Sequence, residues 1–210
     1  MLDSALDTCG LIAILRGLRP AEAASIGAAL HAAGIRVIEV PLNSPEPFES
    51  IRILRRALPE DCVVGAGTVL SPAQVPELRA AGGQLAVMPH GDPAVIRAAR
   101  AEGLWVMPGV ATPTEAFAAL AAGATALKLF PAEALPPAVV RAWSAVLPPG
   151  TRLVPVGGVT AESLGPYLAA GAAAFGIGSS VYRPGATAAD VGARAGELVA
   201  AWRSAVRGPR

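Results

Sequence analysis

The chain carries a single lysine, Lys128, inside the apolar run "ALKLFP" at residues 126–131; its other basic side chains are arginines and the histidines His31 and His90. In an extended strand, successive side chains alternate between faces. That alternation groups Ala126, Lys128 and Phe130 on one face and Leu127 and Leu129 on the other. An ammonium on an inward face is desolvated, which lowers its pKa. A partly neutral amine can attack a carbonyl and form a Schiff base, whereas a guanidinium stays protonated and cannot. One reading of Lys128 is therefore a covalent nucleophile. The other is a lysine whose head snorkels to water or sits in a structural ion pair.

Glu39 is the second candidate. In "RVIEVPL" the same alternation groups it with Val37 and Pro41, and a carboxylate in apolar company needs a partner. It reads either as an ion-pair partner of Lys128 or Arg16, or as a general acid–base group whose pKa is raised by burial. Arg16 closes "ILRG", where a planar guanidinium suits a substrate carboxylate or a rim salt bridge. Thr68 in "GAGTVL" offers a hydroxyl for substrate or for capping the next helix. Gly157 and Gly158 in "VGGVT", with Gly178 and Ser179 in "GIGSS", let backbone N–H groups approach an anion ahead of a helix N-terminus. Together they point to phosphate. His90, in "MPHGDP", is positioned by sequence to line the same site, but no second histidine or acidic cluster accompanies it, so no metal is expected. His31 reads as a surface helix residue.

These residues need elements to hold them. Short apolar runs ("LIAIL", "RVIEVPL", "CVVGAG", "QLAVMP", "LWVMPG", "TALKLF", "RLVPVGG", "AAFGIG") alternate with alanine-rich helical stretches, most of which end on "AAG". Strands this apolar are covered on both faces, as parallel strands are. Eight such units predict one α/β domain over residues 1–210, a (β/α)8 barrel, with residues 2–8 and 188–206 as capping helices. A doubly wound open sheet is the alternative. In a barrel, function gathers at the C-terminal ends of the strands, where Arg16, Glu39, Thr68, His90, Lys128 and both glycine pairs fall.

The composition excludes several classes. More than half of the chain is apolar, the net charge is +1, and the basic residues are scattered. That argues against a nucleic-acid or acidic-membrane partner. The start has no secretory pattern and no apolar run is long enough to span a bilayer, so a cytoplasmic protein is expected. Cys9 and Cys62, without motif spacing, read as structural thiols.

The motifs "IAILRG", "IEVPLNSP", "VGAGTVL", "ALKLFPAE", "VGGVT" and "GIGSSVYRPG", in this order, resemble the 2-keto-3-deoxy-6-phosphate aldolases, and the resemblance covers nearly the whole chain. It implies Schiff-base cleavage of a phosphorylated 2-keto-3-deoxy sugar acid to pyruvate and glyceraldehyde 3-phosphate, with no cofactor or metal. It also implies Lys128 as nucleophile, Glu39 as acid–base group, Arg16 and Thr68 at the pyruvate end, the glycine loops with Ser179 at the phosphate, and a homotrimer. Within the family, "EVPLNSP", "ILRG" and Val156 before the double glycine are similar to the branch acting on the galactonate epimer. The gluconate branch tends toward "EVTLRT" and a threonine before that glycine pair. His90 departs from the asparagine usual in the galactonate branch. The rival classes are a phosphosugar isomerase on the same barrel and a barrel that only binds a sugar phosphate.

Overall fold

The computed structural model describes residues 2–208. It begins with α1 (Leu2–Thr8), β1 (Leu11–Ile14), α2 (Pro20–Ala33), β2 (Val37–Pro41), α3 (Pro47–Ala57) and β3 (Val63–Gly67). There follow α4 (Val75–Ala80), β4 (Leu85–Val87), α5 (Pro93–Ala101), β5 (Trp105–Met107), β6 (Gly109–Val110), α6 (Pro113–Ala122) and β7 (Leu127–Leu129). The chain ends with α7 (Pro137–Ser144), β8 (Leu153–Pro155), α8 (Ala161–Ala169), β9 (Phe175–Ile177) and α9 (Ala188–Arg207). Proline opens α2, α3, α5, α6 and α7, where its missing N–H costs nothing and its fixed φ suits a helix start. At α6, Thr112 Oγ1 accepts from the Glu115 N–H while the Glu115 carboxylate accepts from the Thr112 N–H, a reciprocal cap.

All the strand pairings are parallel, and the strands form a curled sheet in two pieces, β5-β4-β3-β2-β1-β9 and β6-β7-β8. Every residue of β2 and β3 is buried, the signature of strands covered on both faces. The sequence predicts eight strands, but the structure divides the fifth run. Pro108 has no N–H to donate, so the ladder breaks between β5 and β6, although its carbonyl still accepts from Lys128 N at 2.9 Å. Hydrogen bonds cross both gaps between the pieces. Thr125 N donates to Val106 O at 2.9 Å on one side, and Ala173 N donates to Leu153 O at 2.9 Å on the other, beside a parallel Val156–Gly176 bridge. The alanine-rich stretch "SPAQVPELRAAG" that starts at Ser71 opens as a 3-10 turn, Pro72–Gln74, before α4.

Two apolar clusters fill the molecule. The larger lies between the sheet and its helices and includes Leu127 and Leu129, as strand alternation requires. The smaller lies on the concave side and joins Ile12, Val37, Val63, Leu85, Ala126 and Val154 to Leu2, Ala5 and Leu6 of α1. The first helix thus closes the N-terminal end of the interior with its buried face. His31, expected at the surface, is half-buried, its Nε2 2.9 Å from Asp61 Oδ1, and Arg36 Nε is 2.9 Å from the other oxygen of the same carboxylate.

Candidate active site

At the C-terminal ends of the strands lies a cavity of about 400 Å³. Arg16, Glu39, Thr68, Lys128, Val156, Gly157, Gly158, Gly178 and Ser179 all line it, so the candidates read from the sequence converge in one place. His90 does not. It is exposed, three residues beyond the end of β4 at Val87, and the neighbouring Pro89 forms that part of the wall.

Lys128 is buried on β7, with its Nζ 4.6 Å from the centroid of the Phe130 ring. Burial pulls its pKa down and the Arg16 charge adds to this, while the Glu39 carboxylate opposes both. Glu39, on β2, is pushed up to about 7 by burial, against the pull of Lys128 and Arg16. Among the described residues, its Oε2 has no hydrogen-bond partner although it is buried. Gly67 explains how the carboxylate fits: a β-carbon at that position would collide with the Glu39 carboxylate, so the side chain lies flat against bare backbone. The next residue, Thr68, has φ 55°, a left-handed conformation that a β-branched side chain rarely adopts. Strain of that kind, about 1–3 kcal/mol, collects where a side chain must be aimed for a task.

The loops after β1 and β2 are tied together. Arg16 Nη1 donates to Asn43 Oδ1 at 2.6 Å, and Gly17 N donates to Ser44 Oγ at 2.9 Å. The "LNSP" segment therefore orients the guanidinium that "ILRG" supplies. This pairing spans 27 residues and could not be read from either motif alone.

On the opposite wall, Gly157 and Gly158 both have positive φ, 108° and 62°, so the turn presents backbone where any other residue would present a strained side chain. From behind, Glu133 fills the space their β-carbons would take. Tyr167 Oη fixes the preceding loop by donating to Ala132 O at 2.9 Å. Val156 lies over Gly176, which has no room for a β-carbon beneath it. After β9, Gly178 O accepts from Val181 N and Tyr182 N at 2.9 and 3.0 Å, curling the "GSS" turn toward the cavity. Arg183, within the "GIGSSVYRPG" motif, also lines the cavity, a position the motif alone does not reveal. Its signal was an arginine four residues beyond a serine already assigned to the site. Among the described residues, no cluster of three or more His, Cys, Asp or Glu side chains could hold a metal ion.

An amine of lowered pKa, a carboxylate poised near neutrality and an anion-sized glycine cradle share one cavity. That arrangement can perform imine chemistry on a phosphorylated carbonyl compound. The comparisons with known proteins agree. Residues 2–193 match the family model described as KDPG and KHG aldolase. The chain is 51% identical over 192 residues to "Probable 2-dehydro-3-deoxy-6-phosphogalactonate aldolase" of Rhizobium meliloti (strain 1021), covering 91% of both chains. It is 46% identical over 198 residues to "2-dehydro-3-deoxy-6-phosphogalactonate aldolase" of Escherichia coli (strain K12), covering 94% of this chain and 96% of the relative. A solved structure described as native KDPGal superposes with a TM-score of 0.92 at 45% identity, over 94% of this chain and 96% of the other. With a buried lysine and a buried glutamate lining one cavity, this chain belongs to the KDPG and KHG aldolase family.

Proposed function

We propose that the protein is a Schiff-base aldolase that cleaves 2-dehydro-3-deoxy-6-phosphogalactonate to pyruvate and glyceraldehyde 3-phosphate. The observation that carries this reading is the chain's one lysine, buried in the cavity with a lowered pKa within electrostatic reach of a carboxylate raised to about 7. The names of the two relatives support the galactonate epimer.

In this reading the neutral amine of Lys128 adds to the C2 ketone, and loss of water gives an iminium. Glu39 as carboxylate takes the proton of the C4 hydroxyl. The C3–C4 bond then breaks, its electron pair flowing into the iminium to leave an enamine, and the aldehyde departs. The proton returns to C3, water hydrolyses the pyruvate imine, and the amine is restored. Arg16 pairs with the substrate carboxylate, Thr68 hydrogen-bonds the same end, and the Gly157–Gly158 and Gly178–Ser179 loops receive the phosphate. Val156 selects the epimer by withholding a hydroxyl from the sugar chain.

The test is borohydride trapping with pyruvate, followed by peptide mass spectrometry, then rates with both C4 epimers. An adduct of reduced pyruvate on the Lys128 peptide and faster cleavage of the galactonate epimer are expected. Saturating pyruvate that leaves Lys128 unmodified overturns the aldolase reading in favour of a phosphosugar isomerase or a binding barrel. Faster turnover of the gluconate epimer overturns the branch alone.

The same reading takes the two sheet pieces as one closed (β/α)8 barrel, β5 and β6 counting as a single strand broken at Pro108. The hydrogen bonds across both gaps support it. It takes the chain as one domain, supported by an outer core that runs from Cys9 to Trp202 without interruption. Among the described residues no helix is long and apolar enough to cross a membrane. A homotrimer is the form the family resemblance implies, and light scattering of the purified protein tests it.

A further inference from the structure

Arg16, Lys128 and Arg183 are the cations that line the cavity. Two of them are committed to one end. Arg16 is held by Asn43 at 2.6 Å and lies near enough to Glu39 and Lys128 to influence both. Arg183 is not among the charges that shift either group. Its Nε donates to Ser179 O at 3.1 Å, which anchors it on the turn that begins with Gly178. Among the described residues, its two terminal nitrogens have no protein partner. It also lines an adjoining cavity of about 460 Å³ with Arg16, Asn43 and Tyr182, so its guanidinium stands in the wall between two open spaces. A phosphate monoester brings about two negative charges at neutral pH. The glycine turns offer backbone N–H dipoles but no full charge to meet them.

We propose that Arg183 is the cation that recognises the substrate's phosphate, pairing its two free terminal nitrogens with phosphate oxygens while Nε stays on the Ser179 carbonyl. A guanidinium held at one edge presents its other edge as a two-pronged donor, the geometry phosphate oxygens accept best. This assignment rests on the aldolase reading above and deepens it: Arg183 makes the enzyme specific for a phosphorylated sugar acid over its unphosphorylated counterpart. It acts on binding, through the Ser179 turn that anchors it.

The experiment compares wild type, Arg183→Met and Arg183→Lys on 2-dehydro-3-deoxy-6-phosphogalactonate and on the same sugar acid without phosphate, with inorganic phosphate as competitive inhibitor. Pyruvate trapping on Lys128 verifies that each variant is folded. For Arg183→Met, KM for the phosphorylated substrate is expected to rise roughly 10- to 100-fold, and inhibition by inorganic phosphate to weaken by a similar factor. KM for the unphosphorylated compound should change less than about twofold, and Arg183→Lys should recover only part of the loss, because it keeps the charge but not the two-pronged donor geometry. Equal effects on both substrates, or none on either, overturn the assignment. An Arg183→Lys variant that binds the phosphorylated substrate as tightly as wild type overturns the two-pronged pairing, since a point charge then suffices. A wild type that traps pyruvate but shows no preference for the phosphorylated acid overturns the substrate reading itself, and a wild type that traps none overturns the aldolase.

Discussion

The two ends of the sheet's concave interior are built from the same strands and share almost no chemistry. At the N-terminal end, β2 contributes Val37, the start of the β7 run contributes Ala126 and β8 contributes Val154, all sealed beneath Leu2, Ala5 and Leu6. Two residues further along, the same faces present Glu39, Lys128 and Val156 to a cavity. A step of two residues, about 6.6 Å, separates a packed core from a site that holds a buried amine and a buried carboxylate. Stability and reactivity are thus divided along the strand. One end gains free energy by excluding water from apolar surface, and the other spends some of it to hold charges out of water.

That division is broken most severely at Lys128. Lys128→Met keeps the stem and removes the amine, so the turnover rate should fall by at least about 10⁴-fold in a coupled pyruvate assay. Stability should hold or increase, because a desolvated cation has been replaced by an apolar side chain of similar length. A variant that loses activity together with several degrees of melting temperature would make Lys128 part of the core. At the other end the consequences should reverse. Leu6→Ala opens a void in the apolar plug, and urea unfolding should register a loss of about 3 kcal/mol, while kcat and KM of the folded enzyme change less than about twofold. A comparable loss of kcat in this variant would mean that the two ends are coupled.

Most of this division was legible in the sequence because alternation along a strand is local. Lys128 with Ala126, and Glu39 with Val37, could be assigned to one face by counting in twos, and the structure keeps both pairs on the concave side. What could not be read depends on contacts between distant segments. Asn43 reaches Arg16 from another loop, and Arg183 returns to the site only because the turn after β9 curls back on Gly178. Gly67 resembled a turn glycine, but its hydrogen makes room for a carboxylate 28 positions earlier in the chain. His90 failed for the opposite reason. The element was right, but β4 ends at Val87, so His90 stands three residues beyond it, where strand alternation no longer aims its side chain. The interruption at Pro108 was visible as a proline, yet its effect on the ladder depends on which neighbour needed the missing N–H.

Glu39 sharpens the comparison through pH. Its pKa in the folded protein is raised to about 7, so the folded state binds the proton more tightly than the unfolded chain does. The native state is therefore favoured at low pH, and that stability is lost as pH rises from the ordinary carboxylate range through about 7. Activity should run the other way, with kcat/KM climbing through the same window as the base form accumulates. Glu39→Gln should abolish that rise and be more stable than wild type at pH 8, by on the order of 2–3 kcal/mol from thermal unfolding. A wild type whose kcat/KM is flat between pH 6 and 8 would remove Glu39 from the proton transfer.

The smallest effect should come from Val156, where the two ends meet. Its side chain belongs to the apolar cluster and also lines the cavity, packed over Gly176. Val156→Thr preserves shape and exchanges one methyl for a hydroxyl. If that hydroxyl reaches the cavity, it gains a partner only in a substrate whose sugar hydroxyl points toward it. The ratio of kcat/KM values for the galactonate and gluconate epimers should then move toward gluconate by up to about tenfold, roughly 1.4 kcal/mol. If it faces the cluster instead, both epimers should slow alike and the protein should lose about 1–2 kcal/mol from an unsatisfied buried hydroxyl. The first outcome assigns Val156 to specificity and the second to packing. The ratio of the two epimers separates these cases even when the single rates do not, because a general loss of folded enzyme cancels from it.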